Sequence, residues 1–263
     1  MNTPWTITTL IFFFMTLVIA TPFFTWGIIE NRKNYKLYGS YDDKKIIFPI
    51  KIIGGLLLLL EILKLVVNAT TNNFVPDVLP FHYSDYVIFT LATFAFSKKD
   101  TLINKLSFIN FMMIGGAIVL SLLVVPNMVV DFRALYCEKI AYNTVHAFIT
   151  HYFIFYAFLW LVIWKIIKLS YKDILLALFS AIIVSIITMS FGFIFRANYD
   201  YCLASPFSGT PGDYHPDWSY IQPIYAFLIW LPLSIILLVG IFTLVWLINY
   251  KMIYRKPKAK NKH

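Results

Sequence analysis

Of the chain's 263 residues, 60% are hydrophobic and only 13% are charged, with a mean hydropathy of +0.74. A soluble domain of this size carries about twice that share of charge, so an ordinary globular enzyme is excluded and a helical protein with several membrane spans is implied. The net charge of +9 is then a topology signal rather than a nucleic-acid footprint.

Apolar runs long enough to cross a bilayer occupy 5–29, 46–67, 79–97, 106–126, 143–167, 174–195 and 220–250. The expected fold is therefore all-α, a polytopic membrane protein of about seven transmembrane helices: one transmembrane domain over 1–250, then a basic tail over 251–263. The third run is the shortest, because His82, Ser84 and Asp85 interrupt its start. Basic residues fix the orientation. The segments 30–45, 98–105 and 165–173 and the tail together hold 17 of the 22 lysines and arginines. The other three loops hold Arg133, Lys139 and Arg196 beside six acids: Asp77, Asp131, Glu138, Asp200, Asp213 and Asp217. The positive-inside rule places the N-terminus outside and the C-terminus in the cytoplasm. Glu30-Asn31-Arg32-Lys33 directly follows the first run and nothing basic precedes it, which reads as an N-out anchor rather than a cleaved signal peptide. The expected location is the plasma membrane of a bacterial cell.

Polar residues inside the spans gather at one depth. In the second run Glu61, Lys64 and Asn68 form one helical stripe, with Glu61 roughly 10 Å below the outer boundary at the rise of a helix. The two charges either neutralise each other as an ion pair or wall a polar cavity. The third run brings His82, Ser84 and Asp85 from the same side, His82 and Asp85 sharing a face. The fifth brings His146 and His151, roughly 6 Å and 13 Å deep and about 140° apart around the helix. The deeper His151 is the better site candidate, since an unpaired polar group costs more there, and His146 reads equally as an interfacial histidine beside Tyr142. Arg196 and Asn198 close the sixth run, where Arg196 either snorkels or binds an anion. The loop from Ser205 to Trp218, rich in turn-formers and aromatics, has the composition of an ordered lid. Cys137 and Cys202 fall in two outward loops, where an oxidising exterior permits a disulfide and simple packing as small hydrophobes is the alternative.

A serine and a histidine on neighbouring spans, with Asp85 or Glu61 to orient the imidazole, suffice for acyl transfer: the histidine takes the hydroxyl proton and the serine attacks an ester carbonyl. Arg196, Lys64 or Asn198 would then bind a phosphate or the oxyanion. A metal site built on His82, Asp85 and a further histidine lacks regular spacing, so neither a metal nor another cofactor is expected. A transporter or lipid-binding protein is the competing class. Polar groups confined to one leaflet argue against a transport path, which runs the full depth.

Leu79-Pro80-Phe81-His82-Tyr83-Ser84-Asp85, the later Asn198-Tyr199-Asp200-Tyr201 and the Ser/Gly/Pro-rich loop to Trp218 resemble, in order, motifs of the YwaF-like, transmembrane-protein-164-type membrane acyltransferases. The similarity runs over roughly 76–230. It implies a seven-span fold in which a Cys–His pair moves fatty acyl groups between phospholipids. The resemblance puts the nucleophile at Ser84, a serine where the family has cysteine, and the base at His151. His82, Asp85, Glu61, Lys64, His146, Arg196 and Asn198 are the supporting groups. The expected partners are membrane phospholipids or other fatty-acyl substrates, and no nucleic acid.

Overall fold

A computed structural model of the chain describes residues 44–71, 74, 76–124, 142–164, 169–203 and 225–253, together with Val18, Pro22, Thr25 and Ile29, which are helical. Apart from those four positions, the first expected span lies outside the described residues, as do Cys137 and the loop from Ser205 to Trp218. Six long helices follow: α1 (Lys44–Thr70), α2 (Tyr83–Phe96), α3 (Leu102–Val124), α4 (Tyr142–Trp164), α5 (Asp173–Phe195) and α6 (Leu231–Ile253). Short 3-10 turns lie at Pro76–Val78 and Tyr199–Tyr201, and one π-helical turn at Ala226–Trp230 leads into α6. The described residues contain no strand.

Five helices are long and apolar enough to cross a membrane: those at Ile46–Thr70, Leu102–Leu122, Val145–Trp164, Asp173–Phe195 and Ala226–Ile248. The seven expected spans are thus seen in the described residues as five such helices plus α2. At 14 residues, α2 is the short one. Pro80 and the polar residues after it delay its start, and the Ser97-Lys98-Lys99-Asp100 turn, with Asp100 in the left-handed region at φ 61°, ends it.

The hub is α3, which packs against α2, α4, α5 and α6. Phe108, Ile109, Phe111, Met112, Met113 and Ile114 are all buried, so α3 hides residues on nearly every side. That is the pattern of an apolar helix surrounded by others rather than facing lipid. Gly116 is where the packing is tightest. A Cβ there would come 2.5 Å from Ile241 Cγ2 and 3.1 Å from the Phe158 ring, so the glycine lets α4 and α6 close on α3.

The peripheral helices are one-sided. In α1, Ile50, Leu57, Glu61, Lys64 and Asn68 are buried along a single stripe, while Ile52, Leu59, Ile62 and Val66 are exposed. Its neighbours are α2 and α4, and Trp160 Nε1 donates to the Ile46 carbonyl at 2.9 Å, pinning α1 to α4 at one end. The buried stripe of α5 runs Ala177, Ala181, Ser185, Thr188 and Gly192, small residues that let α6 approach closely.

The opposite end of the bundle from Trp160 is closed by a second apolar cluster of Met189, Ala197, Tyr199, Cys202, Leu203, Ala226 and Trp230. Here α5 stops at Arg196, which takes φ 53°, ψ 37°, and the Ala197 amide donates back to the Gly192 carbonyl at 3.1 Å. This is a Schellman ending with arginine where glycine is usual, held by contacts on both sides of it. Phe81 stacks on Phe191 at 3.8 Å, and the Tyr199 hydroxyl donates to the Pro76 carbonyl at 2.5 Å. Gly192 is required for the close approach, since a Cβ would sit 2.8 Å from Cys202 Sγ.

Candidate functional site

The polar residues read from the sequence converge at this closed end, on α1, α2, α4 and the segment after α5. Four of them form a buried chain, three charged groups and a histidine. Lys64 Nζ lies 2.6 Å from Glu61 Oε1 and 3.0 Å from Asp85 Oδ1, and His146 Nε2 lies 3.3 Å from Glu61 Oε2. None of the four residues is more than 7% exposed. The ion pair foreseen between Glu61 and Lys64 exists, and Asp85 joins it from the neighbouring helix. Asn68 continues the stripe by exchanging hydrogen bonds with Asn143 at 2.8 and 3.2 Å. These groups lock α1 to α2 and α4. Lys64 spends its ammonium on two carboxylates, which leaves it poorly placed to bind a phosphate or an oxyanion.

Asp85 has a second duty. Its Oδ2 accepts from the His82 amide at 3.2 Å, so it satisfies an orphan donor at the start of α2. The next amide, that of Tyr83, donates to Asp200 Oδ2 at 2.6 Å. Asp200 sits at φ 48°, a conformation that costs a non-glycine residue on the order of 1 kcal/mol. It compensates by tying three segments together: its amide donates to His82 Nδ1 at 3.3 Å, and its carbonyl accepts from Trp230 Nε1 at 2.9 Å. In the sequence Asp200 reads only as a loop acid. The signal that it does more is its position inside Asn-Tyr-Asp-Tyr, beside an aromatic that is fully buried.

Ser84 lies on the first turn of α2, half-buried, and makes no hydrogen bond among the described residues. His151 is buried on α4, which contacts α2. Its Nδ1 is 2.6 Å from the Ala147 carbonyl. No hydrogen bond joins Ser84 to His151 among the described residues, and neither Glu61 nor Asp85 stands behind the His151 ring. His151 Nδ1 faces a backbone carbonyl, while Glu61 is paired with His146 and Asp85 with Lys64. Asp200, His146 and His82 are near enough to act on His151 electrostatically.

Asn198 uses its Oδ1 to accept from the Leu203 amide at 2.8 Å, which makes it a brace of the loop. Arg196 is half-buried at the end of α5. Cys202 is a free, fully buried thiol. Burial, and then the charge of Asp200, push its thiol far above the usual range, so it packs as a small hydrophobe; Cys137, its partner in the disulfide permitted by the sequence, lies outside the described residues. A polar row leads away from α2: Tyr83 Oη lies 2.9 Å from Ser185 Oγ, which accepts from Ser234 Oγ at 3.1 Å. Among the described residues no cluster of His, Cys, Asp and Glu has the arrangement of a metal centre.

Helices of this length and apolarity around a buried ionic layer define an integral membrane protein. Its sequence matches the TMEM164 family over residues 1–250. The chain belongs to that family. No curated protein and no solved structure matches it.

Proposed function

We propose that this protein is a membrane lipid acyltransferase that moves fatty acyl groups between phospholipids through Ser84 and His151, working in the outer leaflet of the cell membrane. The observation that carries the reading is the state of the two groups. Every other candidate side chain on α1 and α2 is committed to an ion pair or hydrogen bond, whereas the Ser84 hydroxyl makes none among the described residues. His151 likewise uses only Nδ1, leaving Nε2 without a hydrogen bond among the described residues. A carbonyl oxygen only accepts, so Nδ1 carries the proton and Nε2 offers a lone pair, the form a general base needs. Arg196, at the end of α5, is the cation that would meet the lipid phosphate.

An apolar groove of about 580 Å³ between α5 and α6 suits the acyl chain. It is lined by Leu178, Ile235, Val239, Gly240, Thr243 and Leu247. It begins one residue past Ser234, at the foot of the row that leads from Tyr83. A Cβ on Gly240 would meet nothing within 4 Å, so that residue leaves the groove open.

The test is acyl transfer by the purified protein in vesicles that contain one phospholipid with a labelled acyl chain and one unlabelled lysophospholipid. Ser84→Ala is expected to lower the rate by at least about a thousandfold with the helical content and melting unchanged, and Ser84→Cys to retain turnover. Transfer by Ser84→Ala at the wild-type rate would end the proposal. The outer-leaflet placement is tested separately. A reporter fused after His263 is expected to be active in the cytoplasm, and activity only outside would reverse the orientation.

A further inference from the structure

The amides of His82, Tyr83, Ser84 and Asp85 open α2, and all but one of them are taken. The His82 amide donates to Asp85 Oδ2 at 3.2 Å, and the Tyr83 amide donates to Asp200 Oδ2 at 2.6 Å. The Asp85 amide donates to the His82 carbonyl at 3.0 Å. The Ser84 amide alone makes no hydrogen bond among the described residues. The Phe81 carbonyl, three residues back, accepts instead from Thr188 Oγ1 at 3.4 Å. Two carboxylates from different segments thus cover the two amides before Ser84 and leave its own unbonded.

Asp200 can do this because its main chain is pinned on both sides of the side chain. Its amide donates to His82 Nδ1 at 3.3 Å, and its carbonyl accepts from Trp230 Nε1 at 2.9 Å. Tyr83 and Ser84 are consecutive, so the contact that holds the Tyr83 amide also limits how the next peptide plane turns. Acyl transfer at Ser84 calls for a donor to the carbonyl oxygen, and Lys64 is held by two carboxylates. The N–H and the Oγ of Ser84 hang from one Cα, so its amide needs no second element to meet the reacting carbonyl.

We infer that Asp200 is the positioning residue of the nucleophile: by taking the Tyr83 amide it holds the turn with the Ser84 amide open, and that amide is the donor for the oxyanion formed at Ser84. This rests on the acyl-transfer reading above. In the first step the Ser84 hydroxyl proton passes to His151 Nε2 as the Oγ–C bond forms. The carbonyl π electrons move to oxygen, where the Ser84 N–H meets them. Collapse of this intermediate breaks the ester C–O bond, and the departing lysophospholipid alkoxide takes the proton from His151, leaving acyl-Ser84. A lysophospholipid hydroxyl then repeats the sequence in reverse. Asp200 touches no reacting atom and acts through its acceptor oxygen rather than its charge.

Two tests on the full chain in lipid nanodiscs address the inference. Asp200→Gly accepts the left-handed backbone without strain and removes only the carboxylate. It is expected to lower kcat about 10²-fold, the scale of a small misplacement of a reacting group, with KM little changed. Asp200→Asn keeps an acceptor oxygen and loses the charge, and is expected to stay within about tenfold of wild type. Wild-type kcat per folded molecule in Asp200→Gly, or an equal loss in both variants, would overturn the positioning role. The second test needs no variant. Tyr83-Ser84 is the only Tyr-Ser pair in the sequence, so ¹³C′-tyrosine with ¹⁵N-serine marks this one amide. A trifluoromethyl ketone analogue of a phospholipid, added to Ser84 as a tetrahedral alkoxide, is expected to move that amide proton downfield. An adduct seen by ¹⁹F with the amide unmoved would overturn the donor role and leave acyl transfer standing. A wild type that forms no adduct and transfers no acyl group would overturn the acyl-transfer reading, and this inference with it.

Discussion

Replacing Lys64 with methionine is expected to cost about 3–5 kcal/mol of stability, the largest loss from any single substitution at the polar layer. Lys64 is the cation between Glu61 and Asp85, and both carboxylates are at most 3% exposed. Methionine fills similar space and removes only the charge, leaving two carboxylates to be protonated or hydrated inside the protein. The ion pair itself is worth less than this figure, because its attraction mostly offsets the desolvation of three groups. A triple variant separates the two effects. Glu61→Gln, Lys64→Met and Asp85→Asn together are expected to recover most of the loss, since no uncompensated charge remains and the new asparagine amide keeps an oxygen for the His82 amide. Unfolding by SDS titration in bicelles measures both. A single variant as stable as wild type would show that water reaches the carboxylates.

The second large effect falls on activity. His151→Ala is expected to lower acyl transfer by about 10²–10⁴-fold, the usual range for loss of a general base. It leaves the ionic chain intact, because the only hydrogen bond His151 makes among the described residues is to its own helix. His146→Ala should behave in the opposite sense. Its Nε2 faces Glu61, so its loss is expected to lower the melting temperature while turnover per folded molecule stays within about tenfold of wild type. Single-turnover rates and thermal melts on the same nanodisc samples distinguish the two. Loss of turnover in a well-folded His146→Ala would transfer the base role to the His146–Glu61 pair.

The helical class was legible because hydrocarbon imposes its length on the sequence. The apolar run 174–195 became a helix at Asp173–Phe195, and 143–167 became Tyr142–Trp164. The run 220–250 was less well bounded, since its described part opens as a π turn at Ala226 that periodicity does not mark. The pairing of Glu61 with Lys64 could be read from spacing alone, as both lie on one helix. The choice of Glu61 by His146 and of Lys64 by Asp85 depends on how α1 is rotated against α4 and α2, and a stripe of residues does not state its partner. Asp200 escaped notice for a different reason. Its work is done largely by its main chain in a left-handed conformation, and composition gives no sign of that.

The shortness of α2 also bears on how a lipid would reach it. Fourteen residues rise about 21 Å, against a hydrocarbon thickness of about 30 Å, so in a bilayer the helix is roughly two turns short. Tyr199, Cys202 and Leu203 pack against Phe81 and Tyr83 at the start of the helix. Mismatch of this kind thins the surrounding membrane. Under the acyl-transfer function proposed above, a phospholipid that met α2 would ride lower than its neighbours, with its ester bonds nearer the turn that carries Ser84.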